Sequence, residues 1–168
     1  YLHCWRGGMR SNSVAWLLRT AGLQVKLLTG GYKAYRQSFI DLLEQPFDMY
    51  IVGGPTGCGK TDILHALQDL GEQVLDIEAL ANHKGSAFGG LGQAAQPTTE
   101  QFINDLHHAF RGFDLNKPIW CEGEGITTGK CYLPAQLFAR MRSSKFIYFT
   151  IPEACRIERI KEEYGKFS

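Results

Sequence analysis

Two stretches of this chain combine residue types that hold anions. Gly54-Pro55-Thr56-Gly57-Cys58-Gly59-Lys60-Thr61 fits the phosphate-loop pattern G-x-x-x-x-G-K-[ST] at every fixed position. Gly54, Gly57 and Gly59 let successive main-chain N–H groups converge on an anion, and a helix start adds roughly half a positive charge. Lys60 is expected to reach terminal phosphate oxygens, and the Thr61 hydroxyl to sit on Mg²⁺. The second stretch is His3-Cys4-Trp5-Arg6-Gly7-Gly8-Met9-Arg10-Ser11. A cysteine just before a helix N-terminus, in a loop carrying Arg6 and Arg10, favours thiolate over thiol and moves such a pKa down from about 8.5 by roughly one unit or more. Cys4 is therefore a candidate nucleophile, with Arg6 and Arg10 as the basic side chains of an anion cradle around it.

The elements that must position these groups alternate strand and helix. Tyr1 to Cys4 ends a strand, and Ser11 is expected to cap a helix whose Val14, Ala15, Leu17, Leu18 and Ala21 share a face. Gln24 to Leu28 is a second strand. Gly30-Gly31 turns the chain into a helix carrying Tyr32, Tyr35, Phe39, Leu42 and Leu43, and Pro46 ends that unit. Two strands alone could not hold a stable sheet without further chain against them. Asp48 to Val52 is an apolar strand leading into the phosphate loop, and Ile63, Leu64, Leu67 and Leu70 follow it at helical spacing up to Gly71. Gln73 to Glu78, Pro118 to Cys121 and Lys145 to Ile151 read as further strands. Helices starting at Thr98 or Thr99, at Pro134 and at Pro152 separate or follow them. Such alternation predicts a parallel sheet with right-handed crossovers.

In an open parallel sheet, ligand groups gather at the C-terminal ends of strands, where Asp76 and Glu78 stand on the strand from Gln73. Glu122, at the exit of the third strand of the phosphate-loop unit, is thus expected to partner Thr61 at a Mg²⁺ ion. Glu124, in a turn marked by Gly123 and Gly125, is left between that role and a surface position. The Gly-, Ala- and Gln-rich stretch from Asn82 to Pro97 is long for a simple connection and reads either as a substrate loop, contacting a phosphate or nucleoside through His83, Lys84 and Ser86, or as a solvated flexible loop. Arg156 and Arg159 either reach a phosphate or form a solvated face.

The 168 residues, 44% hydrophobic and 21% charged, are globular in composition, and a net charge of +1 names no partner. The five cysteines form no C-x-x-C pair, against a structural zinc site or a disulfide framework. No apolar run reaches membrane-span length and nothing resembles a signal peptide, so no membrane partner is expected and the expected location is the cytoplasm. Because Tyr1 is not Met and the chain stops within a charged helical pattern, it reads as an excerpt of a longer protein.

Strand, cysteine loop, helix, strand, helix resembles the C-terminal half of a rhodanese-like domain, carried by Cys4 to Ser11. A rhodanese-type loop over residues 1–46 followed by a P-loop domain over 47–168, nucleoside-kinase-like in its α/β parallel sheet, resembles the tRNA 2-selenouridine synthase family across the chain. Gly54 to Thr61, Asp76 to Gly89, Glu122-Gly123-Glu124 through Gly129, and Leu133-Pro134 carry that resemblance. The family's acidic segment is more fully charged; here Gly123, Gly125 and Ile126 stand within it. The resemblance implies a transferase that replaces sulfur by selenium in wobble 2-thiouridine of tRNA, with selenophosphate as donor and an S-geranyl intermediate made from geranyl diphosphate. It implies that Cys4 handles the selenium donor with Arg6 and Arg10 on its oxyanion. Lys60 and Thr61 would hold a diphosphate, prenyl or nucleotide, and the loop itself does not distinguish them.

Two other classes fit parts of the pattern. His3-Cys4-x5-Arg10-Ser11 is also the spacing of cysteine-dependent phosphatases, because a cradle around a thiolate can present phosphate or a sulfur or selenium donor. A phosphatase or sulfurtransferase fused to a nucleotide-binding module is one alternative. A small-molecule kinase or NTPase is the other. Oligomeric state has no sequence signal.

Overall fold

A computed structural model describes residues 1–86 and 89–164. The chain divides into two compact units, Tyr1–Gln45 and Pro46–Ser168.

In the first unit the anticipated strands shrink to a single parallel bridge, Leu2 with Leu27. Leu2 N donates to Lys26 O at 2.8 Å and Leu28 N to Leu2 O at 3.1 Å. Two short extended segments with no third strand have too little shared surface to propagate a ladder. The unit's helices are α1 (Met9–Thr20) and α2 (Gly31–Glu44). The N-cap of α1 is Gly8, not Ser11; Ser11 is buried in the first turn, where its Oγ lies 3.1 Å from Gly8 O and 3.3 Å from Cys4 Sγ, so its proton turns to one or the other. Of the predicted apolar face of α1 only Ala15 is fully buried, while Leu17 stays 61% exposed. So small a unit has little surface with which to cover a helix.

The second unit runs β1 (Met49–Gly53), α3 (Lys60–Asp69), β2 (Gln73–Leu75), α4 (Ile77–Ala81), α5 (Thr99–Phe110), β3 (Ile119–Glu122), β4 (Thr127–Thr128), β5 (Cys131–Tyr132), α6 (Ala135–Ser143), β6 (Lys145–Tyr148) and α7 (Glu153–Tyr164). β2, β3, β1 and β6 pair in that order, all parallel. Apolar residues dominate the central strands because both faces are covered: Met49, Ile51, Val52, Ile119 and Cys121 are buried. The chain leaves β1 toward one edge through α3 and leaves β3 toward the other edge through α6. Right-handed crossovers in opposite directions put those helices on opposite faces, which opens a crevice above the C-terminal ends of β1 and β3. β1 feeds the phosphate loop and β3 ends at Glu122, so both predicted elements meet at that crevice.

Three differences from the sequence reading bear on the site. β2 stops at Leu75 because Asp76 turns the chain into α4, its carboxylate accepting from Ala79 N at 2.8 Å. Such a cap stabilises a helix start by about 1 kcal/mol. β6 ends at Tyr148 instead of Ile151, and as the edge strand it leaves Phe146, Ile147 and Tyr148 exposed. The β4–β5 hairpin is additional, and Gln96 pins it: its Nε2 donates to Ala81 O at 3.0 Å and Thr128 O at 3.1 Å, and its Oε1 accepts from Lys130 N at 2.9 Å. Thr98 caps α5 as expected, accepting from Gln101 N at 3.2 Å. No helix among the described residues is long and apolar enough to cross a membrane.

Candidate active site

The Cys4 loop is fixed by the main chain. Tyr32 N donates to Cys4 O at 3.0 Å and Lys33 N to Trp5 O at 2.9 Å, so the first turn of α2 is capped by the carbonyls of the loop. This close approach needs glycine on both sides. A Cβ at Gly7 would fall 2.8 Å from Gly30 N, and one at Gly31 would collide with Cys4 O; both have positive φ. Cys4 itself is half-buried, and its Sγ lies 3.3 Å from Ser11 Oγ. That hydroxyl is the first cause holding the thiol down at about 6, the Gly8 main chain is the second, and the backbones of Ser11 and Arg6 add to them against a modest burial penalty. About nine-tenths of such a group is thiolate at pH 7. The expected role of the guanidinium charges is corrected here. Arg6 lowers the thiol through its backbone, and both arginine side chains are exposed.

The phosphate loop leaves β1 at Gly53. Gly54, Gly57 and Gly59 all have φ in the range only glycine adopts freely, and Gly59 is the N-cap of α3. Lys60 and Thr61 open α3, and the Lys60 ammonium lies 3.4 Å from Gly54 O. The Thr61 hydroxyl donates to Glu122 Oε1 at 2.7 Å. This bond joins the start of α3 to the end of β3, and Glu122 is buried. Helix α7 closes the outer side. Arg156 Nε donates to Thr56 O at 3.1 Å, Arg159 pairs with Asp62, and the Ile160 side chain would be 2.8 Å from a Cβ at Gly57. The cleft around the loop encloses about 800 Å³, and its walls include Gly54, Lys60, Thr61, Lys84, Ser86 and Arg159.

Opposite Lys60 sit three carboxylates. Oxygens of Glu78, Glu122 and Glu124 lie within 4.8 Å of one another. Burial, then the charges of Glu122 and Glu124, push Glu78 up to about 9. Burial raises Glu122 and Glu124 as well, opposed at Glu122 by Thr61 and at both by Lys60. Burial and mutual repulsion thus favour a proton held within the group. Like charges this close in a desolvated pocket cannot all ionise unless a cation joins them. The loop from α4 reaches the cluster through Gly85, where a Cβ would sit 2.7 Å from a Glu124 oxygen and closer still to Glu78.

Of the sequence-selected residues, Gly54, Gly57, Gly59, Lys60, Thr61, Lys84, Ser86 and Glu122 all line this one cleft. His83 does not. Its Nδ1 accepts from Gly85 N at 3.2 Å, which holds the turn of its own loop. Glu124 belongs to the carboxylate group rather than to a surface turn. Ala87 and Phe88, part of the stretch compared with the family, lie outside the described residues. Sequence reasoning put Glu78 at a strand's C-terminal end, where ligand groups gather, without naming it a site residue, and Arg159 lines the cleft while remaining exposed. The signal for Glu78 was Asp76 ahead of Glu-Ala-Leu-Ala, a capping residue before strong helix formers.

A family model described as "tRNA 2-selenouridine synthase AAA domain" matches residues 47–167. Proteins named tRNA 2-selenouridine synthase align over nearly the whole chain. One from Nitrosomonas europaea is 41% identical over 97% of this chain, and one from Pseudomonas putida strain GB-1 is 38% identical over 98%. These alignments cover 43% and 45% of the relatives, so the chain spans less than half their length. Two solved structures are more distant. An unliganded sugar kinase from Janibacter sp. HTCC2649 has a TM-score of 0.35 and 20% identity, covering 70% of this chain and 68% of its own. A DNA replication initiation factor has a TM-score of 0.35 and 15% identity, covering 81% and 50%. The α/β parallel sheet with its phosphate loop is a P-loop NTPase-like domain on its own topology, and with the family match over residues 47–167 the chain belongs to the tRNA 2-selenouridine synthase family.

Proposed function

We propose that this chain carries two reactive centres of a cytoplasmic transferase that replaces sulfur by selenium in wobble 2-thiouridine of tRNA. The observation that carries the reading is that one chain holds both a stabilised Cys4 thiolate and a complete phosphate loop, since a kinase or NTPase has no use for the first. Cys4 handles the selenium donor, selenophosphate, whose oxyanion Arg6 and Arg10 hold. Lys60, Thr61 and the amides of the phosphate loop hold a diphosphate. Thr61, Glu122, Glu124 and Glu78 offer only hard oxygen donors and shed their mutual repulsion on a divalent cation. That suits Mg²⁺, which when bound would neutralise phosphate charge. A cleft of about 330 Å³, walled by Ile51, Phe138, Met141 and Phe146 together with Arg142 and Ser144, shares Gly123 and Glu124 with the phosphate cleft. That neighbour favours a diphosphate with a hydrocarbon body, such as geranyl diphosphate, over a nucleotide.

The chemistry then divides in two. Attack of the 2-thiouridine sulfur on the allylic carbon of geranyl diphosphate forms a C–S bond, breaks the C–O bond to release diphosphate, and gives up the N3 proton of the base to solvent. Selenium of selenophosphate attacks C2, the C2–S bond breaks, geranylthiolate leaves, and water cleaves the Se–P bond to phosphate and 2-selenouridine. Alkylation is what makes the sulfur a leaving group. Mass spectrometry of wobble uridine tests the scheme in cells lacking the gene and complemented with wild type, Cys4→Ser or Lys60→Ala. Lys60→Ala is expected to stop at 2-thiouridine and Cys4→Ser to accumulate the S-geranyl form. Undiminished 2-selenouridine in the deletion dismisses the function.

A further inference from the structure

We infer that the aromatic side chains beside Cys4 form a stacking platform for an unpaired RNA base; the inference rests on the tRNA reading above. Trp5 follows the thiolate directly and remains 50% exposed. Its ring lies 5.6 Å from that of Tyr32. Tyr32 is in turn 6.1 Å from His3 and 6.1 Å from Tyr35, the last pair nearly parallel at 22°. The hydrogen bonds from Tyr32 N to Cys4 O and from Lys33 N to Trp5 O hold this row in register with the sulfur. A platform tied to a nucleophile by main-chain bonds presents a planar ligand to that nucleophile at little further cost in ordering.

The charge distribution selects the ligand. Residues 1–45 contain six of the chain's 18 basic residues and two of its 17 acidic ones, a net +4 against −3 for the remainder. Arg6, Lys33 and Arg36 each adjoin an aromatic of the row in sequence, and Arg6 and Lys33 are exposed. Aromatic faces interleaved with cations are what single-stranded RNA needs: bases stack, phosphates pair, and no base-edge contacts are required. A wobble base held on Trp5 lies next to the residue that supplies the thiolate.

The test measures binding of an anticodon stem-loop RNA bearing 2-thiouridine to the full chain, by fluorescence anisotropy over a potassium chloride series. Trp5→Phe is expected to bind within about two-fold of wild type, and Trp5→Leu about five- to a hundred-fold more weakly. Lys33→Ala is expected to lower the slope of log K against log salt by about 0.7. Alkylation of Cys4 by iodoacetamide, unchanged in the Trp5 variants, separates stacking from packing. Equal binding by Trp5→Leu and Trp5→Phe overturns the platform, and so does loss of rapid Cys4 alkylation together with binding. If wild type neither binds this RNA nor supports 2-selenouridine formation, the tRNA reading falls and takes the platform with it. If wild type does both and Trp5→Leu matches it, the platform alone is wrong.

Discussion

The Cys4 loop and the phosphate loop both stabilise negative charge, but they are built at different ranges. Around Cys4 the decisive partner is Ser11, seven residues away, and the others are amides of the same turn. Around Lys60 the decisive partners come from a further strand end and a further helix: Thr61 bonds Glu122 across 61 positions, and Glu78 enters from α4. The first site stays half exposed and depends on hydrogen bonds that survive in water. The second is desolvated, so its groups shift strongly and tie their titration to the stability of the whole unit. A short-range site is robust to distant change, whereas a long-range one reports every change in the sheet.

The largest effects come from removing one centre and asking whether the other notices. Cys4→Ser is expected to lower selenium transfer about a thousand-fold or more while leaving diphosphate affinity, read by calorimetry, unchanged. Lys60→Ala removes a charge-assisted contact and is expected to weaken that affinity by about ten- to a hundred-fold, with Cys4 alkylation unaltered. If either variant disables both centres, the contrast between them is broken.

The next effect is on stability. Glu78 is the carboxyl with the folded pKa raised to about 9 from an ordinary value of 4.5, so the folded state binds more protons than the unfolded one between those values. Its stabilising contribution is therefore complete below about 4.5 and is lost as pH rises through about 9. In chelator, the melting temperature of the wild-type chain is expected to fall from pH 5 to pH 9. Glu78→Gln should flatten that fall, and Mg²⁺ should raise the wild-type melting temperature most at the alkaline end. A wild-type profile as flat as the variant's would mean that the three carboxylates do not share a proton.

The same difference in range explains what was legible beforehand. A phosphate loop is a contiguous pattern, so Gly54 to Thr61 could be placed at the crevice from the order strand, loop, helix alone. Glu122 followed from its place after an apolar strand. Glu78 was legible as a carboxylate near a strand end but not as a helix residue facing Glu122, because Val74, Leu75 and Ile77 sustain a strand pattern that the Asp76 cap on Ala79 N outweighs. The two-residue strands at Thr127–Thr128 and Cys131–Tyr132 are too short to show any period, and Gln96, which pins them, carries no motif. In the first unit the loop was legible, but the cause of its acidity was not. Arg6 and Arg10 announce charge in the sequence, whereas a hydroxyl seven residues on is silent until the helix begins at Met9 and turns it toward the sulfur.

That last distinction yields the smallest and most discriminating effect. If the Ser11 hydroxyl is the main cause of the thiolate's stability, Ser11→Ala moves the midpoint of Cys4 alkylation by iodoacetamide from about 6 upward, toward the ordinary thiol value of 9. The thiolate fraction at pH 6.5 falls several-fold while the plateau rate at high pH stays within about two-fold. Arg10→Ala, by contrast, leaves the midpoint in place, because its guanidinium is exposed and is not among the causes of the shift. The full pH profile is required, since a single rate cannot separate a lost thiolate from a distorted loop. Should Arg10→Ala move the midpoint further than Ser11→Ala, charge governs this site after all, and the two centres differ in their surroundings but not in kind.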